Sequence, residues 1–507
     1  MIFRKWASGA ISTMAFSYNN HSNHYLVPEI HRVRKRPTSP VICGFALLLA
    51  GCASMAPTYE APALPVAAQY APDTPLELEG SNAAATGWSD YFTDPSLQGL
   101  IAQALANNRD LRGALLRVDE ARAAYGIQRA EAFPTLSAQA GATRSRTPAD
   151  LNASGQPQLN SQYQVALGVA SWEIDFWGRV RSLQDAALET YLATDAARQA
   201  ATVALVAQVA NSYFSLHELD ERIALAQQTT TSRAESLRIF RRRVAVGSTS
   251  RLNLTQVETL FTQAQALGAQ LQQNRASQMH ALTLLVGAPG ELASTAGSPS
   301  VALELRPGLP SDLLLQRPDI VAAEHQLKAA NANIGAARAA FFPRVALTGS
   351  LGTASTELNG LFAGGSQAWS FAPSISLPIF DRGRRSSNLE LTETRRAIAI
   401  TQYEKAVQSA FRDVSDALSA RRWLTEQTAI AQNALTTQTE RARLSQMRFD
   451  NGAAAYLDVL DAQRDLLAAQ QQLVQTRYAL LSSRVSLYAA LGGGAMKNTP
   501  LTGSSTP

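Results

Sequence analysis

The chain has 507 residues, a formal net charge of +5 and a pI near 9.2. Much of that charge lies in residues 1–51, which carry six Lys or Arg and one acid. The remaining chain has 39 basic and 39 acidic residues and is therefore neutral. A nucleic-acid partner, which requires a basic surface, is not expected.

Residues 1–51 have the layout of a secretory signal peptide. A basic cluster at Arg32–Arg36 precedes an apolar run, Val41–Ala50, that is too short to span a bilayer as a stable helix. Residues 1–32 carry no membrane pattern, so we predict that they are an over-extended start and that translation begins at Val33.

The segment Leu49-Ala50-Gly51-Cys52 resembles a bacterial lipobox. It predicts that Cys52 carries a covalent lipid and is the first mature residue; an ordinary signal with a chance cysteine is the alternative. Residue 53 is Ala rather than Asp, which implies sorting to the outer membrane.

The residues typical of enzymes and metal proteins are missing from the expected mature chain. Cys43 is removed with the signal, so no disulfide can form, and His217, His280 and His325 lack metal-ligand spacing. Nucleophile-elbow, phosphate-loop, zinc-protease and dinucleotide motifs are also absent. We expect no catalytic residues, no metal and no cofactor beyond the lipid.

The first half of the mature chain is predicted to combine helices with one β-hairpin. Residues 52–95 are rich in Pro, Ala and acids and indicate an extended, lipidated tether. The first repeat follows at 96–288. Its predicted elements are a helix over 97–133, strands over about 134–147 and 163–174, a long helix over 178–246, and a helix over 249–286.

The second half repeats the first. After a linker, 289–310, Gly335 and Pro343 match Gly126 and Pro134 at a shift of 209. Beyond the second hairpin the shift becomes 205, as for Gly383 and Gly178. This register predicts an internal duplication, with a second repeat over 311–495, strands over about 343–353 and 368–379, and a tail, 496–507.

The predicted lengths suggest how these elements assemble. Helices 249–287 and 311–341 together equal the long helix, so they are predicted to stack end to end beside it. The last helix carries heptad stripes on two faces, which indicate neighbours on two sides. Four strands cannot close a barrel, whereas three copies supply twelve.

Three segments carry a family resemblance: Ser171–Arg179 (SWEIDFWGR), Gln316–Ile320 (QRPDI) and Tyr456–Arg464 (YLDVLDAQR). With the lipobox and the duplication, they resemble outer-membrane efflux channels of the lipidated NodT/OprM branch of the TolC-like family. The resemblance implies a homotrimer with a twelve-stranded outer-membrane β-barrel and a long periplasmic α-helical tunnel. It also implies a periplasmic adaptor and an inner-membrane pump, often of the resistance-nodulation-division class.

The same resemblance assigns candidate site residues around two helical tips. Asp458 and Asp461 would line a periplasmic gate, with Arg464 within reach of both acids. Spacing alone favours three solvated charges on one helix face, and only the family motif favours a gate. The adaptor would dock at Val246-Gly247-Ser248 and Asn451-Gly452-Ala453, where glycine also serves to turn the chain.

The predicted function is passive export of drugs or other small molecules through a gated trimeric tunnel. A conduit for type I polypeptide secretion uses the same fold and is one alternative. A non-transporting coiled-coil lipoprotein scaffold is another.

Overall fold

The two halves of the chain form the same series of helices and strands. The computed structural model describes residues 54–67, 70, 81–288, 305–306, 312 and 316–495, all within one compact unit. The signal peptide, the start at Val33, Cys52, most of the linker and the tail lie outside the described residues.

Among the described residues, the first half of the chain contains five α-helices and two strands: α1 (Trp88–Tyr91), which lies at the end of the predicted tether, α2 (Pro95–Asn107), α3 (Arg109–Ala130), β1 (Leu136–Thr147), β2 (Gln158–Glu173), α4 (Arg179–Ala245) and α5 (Arg251–Val286). The described part of the second repeat contains α6 (Pro318–Ala339), β3 (Arg344–Ser355), β4 (Gln367–Ser376), α7 (Arg384–Asp450) and α8 (Tyr456–Ala490). The long helices α4 and α7 each have 67 residues, about 100 Å, which confirms the duplication.

The four strands form one antiparallel sheet in the order β1-β2-β3-β4. β2 begins at Gln158, five residues before the predicted start. Its first five residues are mostly polar, but they pair with β1 through main-chain hydrogen bonds, which need no apolar side chains. The sheet is open, since β1 and β4 are each paired along one edge within this chain.

The segment Ser171–Arg179 joins the sheet to the helices. Glu173 accepts from Arg179 at 2.8 and 2.9 Å and from Arg344 Nε at 2.6 Å, while Asp175 accepts from the first amides of α4. Trp177 stacks on Phe342 with centroids 4.7 Å apart and donates to Pro343 O. The motif therefore fixes where the sheet ends and the long helix begins.

The predicted helix over 97–133 is interrupted at Asn108. The Asn108 backbone is extended, with ψ of 130°, and its side chain accepts from Leu111 N, so it ends α2 and caps α3. The break lets α2 leave the direction of α3 and pack against α4 and α5.

The shorter helices do stack end to end, but the predicted pairing was wrong. The C-terminus of α5 meets α3, where Asn108 Nδ2 donates to Leu285 O at 2.9 Å. The C-terminus of α8 meets α6, where Arg317 Nη1 donates to Ala490 O at 3.0 Å. Both junctions form because a side chain at the start of one helix satisfies a last-turn carbonyl of the other.

The two junctions are equivalent positions of the repeat. Asn108 and Arg317 are related by the shift of 209, and Leu285 and Ala490 by the shift of 205. Gly287 and Gly492 end α5 and α8 in the left-handed region, with φ of +70° and +82°. A Cβ at either glycine would lie 2.5–2.6 Å from a carbonyl oxygen of the opposing helix start.

The last helix has the two-sided packing that its heptads predict. α8 packs against α7 and also against α4. Val459, Leu473 and Leu487 of one stripe are buried, as are Leu460, Val474 and Tyr488 of the other.

The N-terminal tether runs along the helices without regular structure over 54–67. Ser54 Oγ lies 3.3 Å from Ser182 Oγ in the first turn of α4, next to the sheet. Further along, Asn331 donates to Pro57 O and Tyr59 donates to Glu324 of α6. The tether thus reaches the end of the helical layer that adjoins the strands.

Among the helices of the described residues, none combines the length and the hydropathy that a membrane span requires.

Candidate functional site

The first tip connects α4 to α5 through a left-handed glycine. Gly247 has φ of +72°, Ser248 N donates to Arg243 O at 2.8 Å, and Gly247 N donates to Val244 O at 3.0 Å. This is the Schellman pattern, which satisfies the last carbonyls of a helix. Here the glycine is required by backbone geometry.

The second tip reproduces that geometry between α7 and α8. Gly452 has φ of +70°, and Ala453 N donates to Arg448 O at 2.7 Å. Asn451 has φ of −90°, so the glycine alone supplies the left-handed residue of this turn. The Asn451 side chain instead donates to Met447 O. The six predicted docking residues, three at each tip, are all exposed.

The helices that leave the two tips begin differently. Ser250 caps α5, because its Oγ accepts from Asn253 N at 3.2 Å. The equivalent residue before α8 is Ala455, which has no capping side chain. A missing cap costs about 1 kcal/mol of local helix stability. Asp458 in the first turn of α8 offsets part of this cost through the helix dipole.

Aromatic contacts hold the two tips of one protomer together. The Tyr456 ring lies 4.3 Å from the Phe240 ring of α4 and 4.8 Å from the Phe449 ring of α7. The Arg243 guanidinium lies 5.5 Å from the Phe240 ring centroid and 5.7 Å from that of Phe449. These contacts fix α8 between the long helices where its charged face begins.

Two of the three predicted gate residues are in direct contact. Arg464 Nη1 lies 3.1 Å from Asp461 Oδ1, and Asp458 is exposed one turn closer to the tip. Arg464 Nη2 also lies 3.1 Å from Asp465 Oδ1. The predicted acids and cation therefore share one face of α8.

Two further charged residues belong to this cluster. Arg441 Nη1 of α7 donates to Asp465 Oδ2 of α8 at 2.6 Å. This hydrogen bond, with a smaller contribution from Arg464, holds the pKa of Asp465 below its ordinary value. Sequence reasoning missed the pair because Arg441 lies on another helix, where no periodic spacing links it to Asp465.

The first tip has no counterpart of this cluster. At the shift of 205, Asp458, Asp461 and Arg464 correspond to Asn253, Gln256 and Thr259, while Arg441 and Asp465 correspond to Ser236 and Leu260. Ion pairs within the long helices are instead duplicated, as Arg238–Glu235 at 2.7 Å and Arg443–Glu440 at 2.6 Å. The repeats share the scaffold and differ in the charges beyond the tip.

Comparison with known proteins identifies the family. The model of the outer membrane efflux protein family matches residues 100–288 and 309–493. The chain belongs to the outer membrane efflux protein family. It is an outer-membrane efflux channel protein, and the family consists of channels rather than enzymes.

Individual relatives agree with this assignment over nearly their whole length. The solvent efflux pump outer membrane protein SrpC of Pseudomonas putida is 45% identical over 457 residues, covering 89% of this chain and 97% of SrpC. The antibiotic efflux pump outer membrane protein ArpC of Pseudomonas putida is 43% identical, covering 90% of this chain and 95% of ArpC.

A solved structure shows the same fold. The open state of the Neisseria gonorrhoeae MtrE outer membrane channel is 41% identical, with a TM-score of 0.79 over 87% of this chain and 99% of MtrE. The predicted fold class, a duplicated and mainly helical protomer with a four-stranded membrane sheet, is confirmed.

Proposed function

We propose that three copies of the chain form a channel with a closed twelve-stranded barrel. The support is the open sheet, because unpaired strand edges are not stable in a bilayer. Exposed apolar side chains at alternate positions of β4, Trp369, Phe371 and Ile375, suit a lipid-facing surface.

The helical layer supports the same assembly. α6 lies between α4 and α7, whereas its repeat equivalent α3 packs chiefly on α4. α3 leaves Leu115, Leu116 and Ile127 exposed, and α7 exposes an apolar stripe of its own, which includes Leu391, Ile398, Trp423 and Ile430. The neighbouring copy's α7 would occupy the free side of α3, as α7 occupies that side of α6 within the chain.

The channel would conduct small organic molecules passively, since the outer membrane offers it no energy source. The names of SrpC and ArpC point to organic solvents and antibiotics as the substrate class. Three copies of Asp458 and Asp461 would form two rings of carboxylates at the periplasmic end. Close carboxylates in a narrow site favour cations. The ion pair between Asp465 of α8 and Arg441 of α7 would hold the two helices together at the constriction.

The energy for export and the selection of substrates would come from partner proteins. We propose that a periplasmic adaptor docks on the two exposed tips and links the channel to an inner-membrane pump of the resistance-nodulation-division class. The small residues at Gly247, Ser248, Gly452 and Ala453 would permit close approach of a partner's backbone.

The lipid on Cys52 would anchor the tether in the outer membrane. The path of the tether supports this, because Ser54, two residues after Cys52, lies beside Ser182 near the sheet. We expect Cys52→Ala to lose metabolic labelling with palmitate. Trimers that still label would contradict lipidation at this residue.

The proposed function is tested by complementation. The full chain, expressed with its adaptor and pump in a strain that lacks its own outer-membrane efflux channels, should restore resistance to toluene and lower the accumulation of a fluorescent pump substrate. Restored secretion of a polypeptide substrate, with no change in accumulation, would favour the type I secretion conduit instead.

A further inference from the structure

Two of the three arginines in the basic run Arg241-Arg242-Arg243, just before the first tip, contact other described residues of the chain. Arg241 Nη2 pairs with Glu258 Oε1 of α5 at 3.0 Å. Arg243 lies over the rings of Phe240 and Phe449. Arg242 is exposed, and within the described residues it forms no ion pair.

A second exposed arginine lies across the turn. Arg251 is the first residue of α5, and it too has no carboxylate partner among the residues that the structure describes. A cation at a helix N-terminus is opposed by the helix dipole. Helix stability therefore does not account for an arginine at this position.

The two tips carry different charge although their backbones are alike. Residues 241–251 contain four arginines and no acid, whereas the equivalent residues 446–456 contain one arginine and one aspartate. At the positions of Arg242 and Arg251, the second tip has Met447 and Tyr456. The shared geometry accounts for the turn at both tips but not for the difference in charge, and Arg242 and Arg251 are left exposed to a molecule that contacts the first tip from outside.

Apolar side chains accompany the free cations at the first tip. Val246 is 72% exposed and Leu252 is 67% exposed, on either side of the left-handed glycine. A basic surface around two exposed apolar residues fits a partner with an apolar residue flanked by carboxylates.

We propose that the first tip binds an acidic segment at the end of the adaptor's helical hairpin, through Arg242 and Arg251, while the second tip binds a less acidic one. This inference rests on adaptor docking as given under the proposed function. It means that the two tips of one protomer are chemically different sites, and that the charge of the first tip orients the adaptor on the channel.

The test measures binding of the purified adaptor to the lipid-embedded full-length channel by surface plasmon resonance, at low and high salt. Arg242→Gln/Arg251→Gln should weaken binding about tenfold and reduce its salt dependence. Arg242→Lys/Arg251→Lys keeps both charges and should bind nearly as the parent does. Met447→Gln, at the position equivalent to Arg242, is the matched control and should leave the salt dependence unchanged.

Three outcomes separate the hypotheses. Loss of affinity in the Gln pair, with recovery in the Lys pair, supports the acidic partner. Unchanged affinity in the Gln pair overturns it, and loss of binding on Ser248→Trp in the same assay would show that docking at the tips still holds. Unchanged binding in both the Gln pair and Ser248→Trp overturns the inference and tip docking together.

Discussion

The two glycines at the ends of the last helix are required for different reasons. Gly452 and Gly492 are both left-handed, with φ of +70° and +82°. A Cβ at Gly452 meets nothing within 4 Å, whereas at Gly492 it would lie 2.5 Å from Gln316 O. The tip glycine is needed only for its backbone conformation, and the junction glycine also for space.

We therefore predict different costs for the same substitution. Gly452→Ala should destabilise the protein by about 1 kcal/mol, the cost of a left-handed alanine. Gly492→Ala adds overpacking and should cost about 2 to 4 kcal/mol. Thermal denaturation followed by circular dichroism checks this order, and equal denaturation temperatures for the two variants would contradict it.

The charged cluster near the second tip depends on a bridge between helices. Asp465 joins Arg441 of α7 to Arg464 of its own helix. Asp465→Asn should loosen α8 from α7 and raise the open probability of single channels, although an exposed pair contributes at most about 1 kcal/mol. Glu440→Gln breaks a similarly exposed pair within α7 and should leave gating unchanged. Equal open probability in the two variants would argue against the bridge.

Sequence spacing predicted part of this cluster. Asp458, Asp461 and Arg464 lie three residues apart on one helix, so their common face was predictable. Arg441 and Tyr456 contribute through contacts between helices, which depend on how α7 and α8 rotate about each other. A local sequence pattern does not predict how the two helices are rotated relative to each other.

At the scale of elements, the helix junctions determine how the layer is built. The sequence pattern predicts two shorter helices in each half, and their lengths are compatible with more than one end-to-end pairing. The observed order depends on Asn108 and Arg317, whose side chains reach the carbonyls of Leu285 and Ala490. The junctions could not be predicted from a local sequence pattern, because the two residues of each hydrogen-bonded pair are far apart in sequence.

The junctions should matter for stability. Asn108→Ala removes a cap and a buried donor and should destabilise the protein by about 1 to 3 kcal/mol. Arg317→Ala removes the buried donor to Ala490 O and a cation that lies 2.6 Å from Asp319 and 3.3 Å from Asp413. Both acids are partly exposed and Asp413 keeps Arg412, so the change should cost somewhat more than Asn108→Ala, about 2 to 4 kcal/mol. Guanidinium titration of detergent-solubilised protein measures both, and a smaller effect for Arg317→Ala would contradict this ranking.

At the scale of the whole molecule, the duplication explains both what is shared and what is not. The repeats share long helices of equal length, tips that turn at a left-handed glycine, and equivalent helix junctions. These features follow from anchors visible in the sequence, namely Gly, Pro and heptad positions. In the proposed trimer, the closing of the sheet and the covering of α3 would depend on other copies, which the pattern of one chain does not contain.

The central claim is that the second tip alone carries the gate. Asp458→Ala/Asp461→Ala removes its acids, and Asn253→Ala/Gln256→Ala changes the equivalent residues of the first tip. In planar bilayers, the first variant should lower the permeability of K⁺ relative to Cl⁻ at least about twofold and change the conductance, while the second should behave as the parent. Equal effects of both variants, or no effect of the first, would contradict the claim.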